Sequence, residues 1–273
     1  MKLAEGAFPD AIVLLEEAAQ IRRSSLPGDT AGLAGVLVSL GRAEKNAGHY
    51  DEATARYEEV LRMTQGGGGP LALCRAEALA GTANVIRRKP EQLGEATRLM
   101  AMSLAIRERW LGREDLSVAD ARTDLALLYY LVGRVESARR EAEEALRVRR
   151  PRLGPGNPDL GLSESILAWS LVKLGRRSEA DRHFAIAVAN YERARLHSEM
   201  GPSRLRYRPM VAAARAANLL DLGKPDEAWQ VLERGLSVFM MEWLRPPSPP
   251  AARHAGPPAV DVASLSEVQR SLS

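Results

Sequence analysis

The 273-residue chain sets 38 lysines and arginines against 35 aspartates and glutamates, a net charge of +3, and 45% of its residues are hydrophobic. That composition is ordinary for a folded protein and excludes wholesale disorder, and the near-cancelling charge argues against a nucleic-acid or membrane-surface partner. The single cysteine, Cys74, excludes a disulfide framework and a multi-thiolate metal site, and His49, His183, His197 and His254 form no HxxxH or HExxH pattern, so no metal or cofactor is expected.

From the N-terminus, MKLAEGAFPD carries one lysine and then acids, unlike a signal peptide. No apolar run approaches the ~18 residues that a membrane span needs. A soluble, cytoplasmic chain is expected. A turn then recurs along its length. Gly6-Ala-Phe8-Pro-Asp-Ala11 is the first copy and Gly48-His-Tyr50-Asp-Glu-Ala53 the second. Gln92-Leu-Gly-Glu-Ala96 is a degraded third. Gly133-Arg-Val-Glu-Ser-Ala138, Gly175-Arg-Arg-Ser-Glu-Ala180 and Gly223-Lys-Pro-Asp-Glu-Ala228 follow. The alanines fall at 11, 53, 96, 138, 180 and 228, spaced by 42, 43, 42, 42 and 48 residues. The one extra residue of the third copy fits its turn at 89–93, and the six extra before the last copy fall around 197–208.

Each copy predicts a helical hairpin of a helix A and a helix B. The glycine ends helix A, because only glycine takes the left-handed position after a helix at little cost. The acids behind it sit in the first turn of helix B, where the helix dipole favours negative charge. The alanine is small where two helices cross closely. Apolar residues recur nine, twelve and thirteen positions after the glycine: Tyr57, Val60 and Leu61 in copy two, Phe184, Ala187 and Val188 in copy five. That is one face of a helix. In the A helices, Leu40-Gly41, Leu125-Ala126 and Leu167-Ala168 hold the same register.

These residues resemble the tetratricopeptide repeat, with Leu-Gly or Leu-Ala in helix A, Gly-x-Tyr at the turn, and alanine and an aromatic in helix B. The usual repeat has about 34 residues. The longer period here, with the exit Arg150-Pro-Arg-Leu-Gly-Pro-Gly-Asn-Pro-Asp159 and its reduced version Trp110-Leu-Gly-Arg-Glu-Asp115, is similar to kinesin-light-chain repeats. The resemblance covers about residues 4–244. It implies an all-α, right-handed superhelical solenoid of antiparallel hairpins, with a concave groove lined by the A helices.

Both ends read as incomplete. Only Met1–Glu5 precede Gly6, too few for a helix A, which favours a fragment or a misplaced start over a natural stub. The solenoid is expected over 1–244, as a half repeat and about five hairpins. Its last helix, Asp226–Leu244, ends in Leu236-Ser-Val-Phe-Met-Met-Glu-Trp-Leu244, apolar on more than one stripe. Such a helix wants burial on every side. Either the tail folds back over it, or Phe239, Met240 and Trp243 form a docking surface for another domain or chain. Residues 245–263 read as a proline-rich linker, with six prolines in 245–258. Ser264-Leu-Ser-Glu267 is a capping box that opens a helix at 264–273 and implies more chain beyond.

Glu227, Ala228, Leu232, Glu233, Arg234 and Gly235 resemble the last helix before a CHAT domain, and Ser264-Leu-Ser-Glu-Val-Gln269 resembles the helix that introduces it. Leu236-Ser-Val departs from that family, which has Arg-Ala-Arg there. CHAT domains are caspase-like cysteine peptidases coupled to such repeats in bacteria. No position here matches their His–Cys dyad. The resemblance implies a repeat arm that regulates or recruits partners for a peptidase domain outside this chain. The alternative is a free-standing kinesin-light-chain-like adaptor with no enzyme attached.

No enzyme site is expected within the chain. Cys74 has no activating histidine and reads as a buried small residue. His183 reads as a surface histidine. Gly66-Gly-Gly-Gly-Pro70 lacks the lysine and preceding strand of a phosphate loop and reads as a flexible link. Carboxylates such as those of Arg139-Arg-Glu-Ala-Glu-Glu144 read as solvated helix faces. The groove is the expected site. Carrying the family's A-helix positions over places Arg42, Lys45 and Asn46 there, then Glu77, Asn84, Arg87 and Arg88. Asp120, Thr123, Asp124, Leu127 and Tyr130 follow, then Ser165, Trp169 and Lys173. Arg42, Lys45, Asn84, Arg87, Arg88, Tyr130 and Trp169 are the expected contacts for a protein or peptide. Asn84 suits a peptide backbone, and the arginines suit peptide carboxylates.

Overall fold

The computed structural model describes residues 7–26, 28–196 and 207–243. Among them lie eleven α-helices and no strand. In chain order these are α1 (Ala7–Ser25), α2 (Thr30–Ala47), α3 (Tyr50–Met63), α4 (Pro70–Ile86), α5 (Leu93–Leu111) and α6 (Leu116–Leu131). Then come α7 (Val135–Arg149), α8 (Pro158–Lys173), α9 (Arg177–Leu196), α10 (Tyr207–Asp221) and α11 (Pro225–Trp243). The hairpins are α2/α3, α4/α5, α6/α7, α8/α9 and α10/α11, and α1 is the second helix of a first copy.

The predicted turn glycines do what the pattern requires. Gly48, Gly133, Gly175 and Gly223 all have positive φ, from 72° to 93°. The next amide then reaches back across the helix end: His49 donates to the Glu44 carbonyl at 2.8 Å, Arg134 to Tyr129 at 2.8 Å, Arg176 to Leu171 at 2.9 Å and Lys224 to Leu219 at 2.9 Å. These bonds satisfy carbonyls that a helix end otherwise leaves open. The degraded third turn has no such glycine. Arg87 stays right-handed at the end of α4, and a 3-10 turn at Pro90–Gln92 takes up the extra residue.

The links between hairpins end on side-chain caps. Asp29, Asp115 and Asn157 accept hydrogen bonds from Gly32, Ser117 and Asp159 at the starts of α2, α6 and α8. Each removes one open amide from a helix start, worth about 1 kcal/mol. Packing follows chain order, each helix of α1–α9 against the next. The first helices also touch one another: α2 meets α4, α6 meets α8, and α8 meets α10. The marker alanines Ala53, Ala96, Ala138, Ala180 and Ala228 are all buried, as a close crossing demands.

The chain divides into two compact units, Met1–Gly235 and Leu236–Ser273. Of the second, only the last turns of α11 are described. They carry Phe239, Met240 and Trp243 in helical backbone, with side chains outside the description. The expected linker at 245–263, the helix start at 264–273 and residues 197–206 of the stretch that carries the six extra residues lie outside the described residues. No helix among the described residues is long and apolar enough to cross a membrane.

Candidate protein-binding face

The first helices of the hairpins place the expected contact residues in two groups. Arg42 is exposed on α2, and Lys45 is half-buried one turn on. On α4, Asn84 donates to an Asp124 carboxylate oxygen on α6 at 3.4 Å, which ties two neighbouring first helices together. Arg87 is half-buried at the end of α4. Arg88 is exposed, with its guanidinium 3.4 Å above the centre of the Tyr50 ring at the previous turn. That stack uses part of the charge within the chain. Arg134 lies 4.6 Å over Tyr129 in a similar way.

The second group is aromatic. Tyr130 on α6 and Trp169 on α8 stand with ring centres 6.2 Å apart and planes tilted by 34°. Leu127 and Trp169 rest on the core cluster of Leu167, Leu171 and Phe184, and both are half-buried. Burial pushes the Tyr130 hydroxyl above the usual tyrosine range, so it remains a neutral donor. An amphipathic ring pair on one face offers apolar area with a polar rim, the make-up of a protein contact. Exposed Leu131 on α6 and Met210 and Leu220 on α10 are further apolar residues on first helices. Leu220, three residues before Gly223, holds the position that Tyr130 holds before Gly133.

Three expected groove residues are instead buried or bonded within the fold. Thr123 and Ser165 are buried, not groove-facing. The Thr123 hydroxyl accepts from the Arg149 guanidinium at 2.8 Å, and the Ser165 hydroxyl donates to the Gly161 carbonyl at 2.7 Å. Asp120 is exposed but accepts from Arg149 at 2.5 Å. Arg149 is itself buried, and bonds Ser163 and the Asp159 carbonyl as well. A charge can be buried there because polar partners surround it. Nothing in the sequence distinguishes Arg149 from its solvated neighbours in an arginine-rich helix.

His183 is not a free surface histidine. Its Nδ1 lies 2.7 Å from a carboxylate oxygen of Glu164, a buried residue on α8, and Arg150 donates to the other oxygen at 2.9 Å. Cys74 is half-buried, its Sγ 3.9 Å from the Ala31 carbonyl, and burial pushes its thiol up, which keeps it un-ionised. Gly66 to Pro70 links α3 to α4, with Gly68 against the Trp110 ring. Among the described residues no group of three or more His, Cys, Asp or Glu could hold a metal ion.

Comparison with known proteins gives the repeat its name. The tetratricopeptide repeat family matches residues 33–65, across α2 and α3, and 118–159, across α6, α7 and the start of α8. No curated protein matches the chain. Among solved structures, BtubC (BKLC) from P. vanneervenii superposes with a TM-score of 0.71 at 18% identity, over 90% of this chain and 96% of that one. Nearly identical TPR-like repeats from Podosopora anserina, named as kinesin light chain, give 0.60 at 22% identity, over 80% of this chain and all of that one. MamA gives 0.50 at 13% identity, over 81% of this chain. At these identities the likeness is one of fold: the described chain is all-helical and resembles tetratricopeptide-repeat solenoids.

Proposed function

We propose that this tetratricopeptide-repeat solenoid is a protein–protein interaction scaffold whose ligand lies along the first-helix face. The observation that carries this reading is the Tyr130–Trp169 pair with Leu127, aromatic and apolar area left partly open on a face formed by successive first helices. Arg42, Lys45, Asn84 and Arg87 supply the polar end of the same contact. Arg88 contributes less, because its guanidinium already stacks on Tyr50.

Two settings fit this reading. In one the chain is a free-standing adaptor of the kinesin-light-chain type, which the resemblance of the whole described solenoid supports. In the other it is the repeat arm of a CHAT-type peptidase, docked through Phe239, Met240 and Trp243 on α11, which rests on the sequence of α11 and of residues 264–269.

Tyr130→Ala with Trp169→Ala should reduce recovery of bound protein from native lysate by about tenfold, on the order of 1.5 kcal/mol for an aromatic contact. The helical content should be unchanged, because both side chains stand at the rim of the core. Arg42→Glu should weaken the same capture less. Unchanged recovery in the double variant, quantified by mass spectrometry, refutes the face.

A further inference from the structure

The contact residues of the first-helix face fall into two groups, and the fold parts at the same place. Successive first helices meet at α2/α4, α6/α8 and α8/α10, whereas α4 and α6 scarcely touch. Arg42, Lys45, Asn84 and Arg87 lie on one side of that break, and Tyr130 and Trp169 on the other. The cause lies in the second helix between them. Met100 of α5 stands where Tyr57 stands in α3, and both are fully buried. Tyr57 has Gly41 and Gly81 on its two sides, so α2 and α4 close over it. The corresponding positions beside Met100 are Ala83 and Asp124. With a side chain on both first helices as well as on α5, a close-packed junction has to hold α4 and α6 apart.

The two halves are joined on the α5 side instead. Arg122 of α6 pairs with Glu108 of α5 and, at 2.6 Å, with Glu141 of α7. Arg107 of α5 donates to the Ser117 carbonyl at the start of α6 at 3.2 Å. Val118, Leu125 and Leu128 of α6 share a core cluster with Leu99, Met100 and Leu104 of α5. On the groove side, the side-chain bond described between α4 and α6 is the one from Asn84 to Asp124, and its 3.4 Å lies beyond the usual hydrogen-bond range. Ion pairs and apolar packing behind, with a single weak bond in front, are the build of a hinge with a latch.

We propose that α4 and α6 are the lips of a hinged groove, with the α5–α6 contact as its axis and the Asn84–Asp124 bond as its latch. The helices α2 to α5 swing as one body against α6 to α9. Closure rests on the first-helix face being the binding site: a ligand that touches both groups holds the lips together. A ligand confined to one group makes no differential contact with the open and closed forms, and so does not close them.

The hinge is tested without a ligand, so it can fail while the binding face stands; the Tyr130→Ala, Trp169→Ala capture tests the face separately. Nitroxide pairs on the full chain, placed by cysteine in a Cys74→Ser background, report distances by pulsed dipolar spectroscopy. Asn46, Leu131 and Asp221 are exposed, and each stands two residues before a turn glycine, on α2, α6 and α10. Asn46→Cys with Leu131→Cys spans the α4/α6 break. Leu131→Cys with Asp221→Cys spans as many repeats without it. The first pair should give the broader distribution, although the second has lost the Arg177–Asp221 ion pair. Asn84→Asp sets two carboxylates against each other across the latch. It should lengthen the first distance by about 2 Å, the size of a helix shift, and leave the second unchanged. Adding Asp124→Asn exchanges the partners, again pairs a donor with an acceptor, and should return the first distance to its starting value. Equal widths for the two pairs overturn the hinge, as does an unchanged first distance in Asn84→Asp. Lengthening that persists in the exchanged variant overturns the latch, because it assigns the change to residue 84 alone.

Discussion

The junction of α2, α3 and α4 and the junction of α6, α7 and α8 are built on the same repeat positions with different materials. In the first, Tyr57 of α3 is fully buried between Gly41 of α2 and Gly81 of α4. A Cβ at Gly41 would sit 2.9 Å from the tyrosine ring, and one at Gly81 2.3 Å. In the second, the residue in the Tyr57 position is Ala142, the Gly41 position holds Ala126 and the Gly81 position holds Ile166, all buried in one cluster. The large side chain moves from the second helix, Tyr57, to the following first helix, Ile166, and the second helix shrinks to Ala142. The second junction is then secured by polar bonds: Arg149 with Thr123, Ser163 and Asp120, and Glu164 with His183 and Arg150. A single repeat geometry thus accepts either size complementarity or a buried polar network at its helix crossings.

The sharpest way to break the first junction is Gly81→Ala. The added methyl cannot fit without moving α4 off Tyr57, and overpacking of this kind costs typically 1–3 kcal/mol. We expect the upper end, because the clash is with a rigid ring held on its far side by Gly41. Chemical denaturation checks it. Adding Tyr57→Leu should recover more than half of the loss, since the two residues share one space. Simple additivity of the two substitutions would show that the glycines are not matched to the tyrosine.

The second junction should fail differently. Arg149→Ala removes three helices' shared donor and leaves a cavity, for an expected loss of about 2 kcal/mol. Arg149→Met keeps most of the volume and buries no charge, and Asp120 is exposed and can return to water. It should therefore recover at least about 1 kcal/mol of that loss. Equal destabilisation by Ala and Met, measured by urea unfolding, would place the stability in the hydrogen bonds alone.

The sequence made one of these junctions readable and not the other. Turn glycines, marker alanines and the apolar face through Tyr57 and Phe184 recur at fixed spacing, because each answers to a backbone geometry that every hairpin repeats. The hairpins were therefore legible, down to the extra residue at Pro90–Gln92. Buried polar residues answer to neighbours on other helices. Arg149, Glu164 and His183 sit in an otherwise solvated-looking run of charges, and a periodic reading has no means of singling them out. The candidate face was half legible for the same reason. Tyr130 and Trp169 are brought together by register, but Thr123 and Ser165 on the same two helices are buried, Thr123 bonded to Arg149 of α7 and Ser165 to Gly161 of its own helix.

Glu44 tests whether the first junction tolerates the kind of buried charge that the second one uses. It is buried on α2 and accepts one bond from Arg56 Nε at 3.2 Å, while its other oxygen has no partner. Glu164, by contrast, has both oxygens bonded. Burial raises the Glu44 carboxyl above the usual range, against the opposing pull of Arg56. The sign follows from linkage. A raised carboxylate binds its proton more tightly when folded, so the stabilisation from that proton is present at low pH and is lost as pH rises through the folded-state value. At neutral and higher pH the charge is a net burden. Glu44→Gln keeps an acceptor for Arg56 and removes that burden. It should therefore raise the melting temperature at pH 8, by roughly 1–3 °C, and the gain should shrink toward zero near pH 4, where both side chains are neutral. A gain that is the same at both pH values, or one that grows as the pH falls, would mean that Arg56 already compensates the buried charge in full.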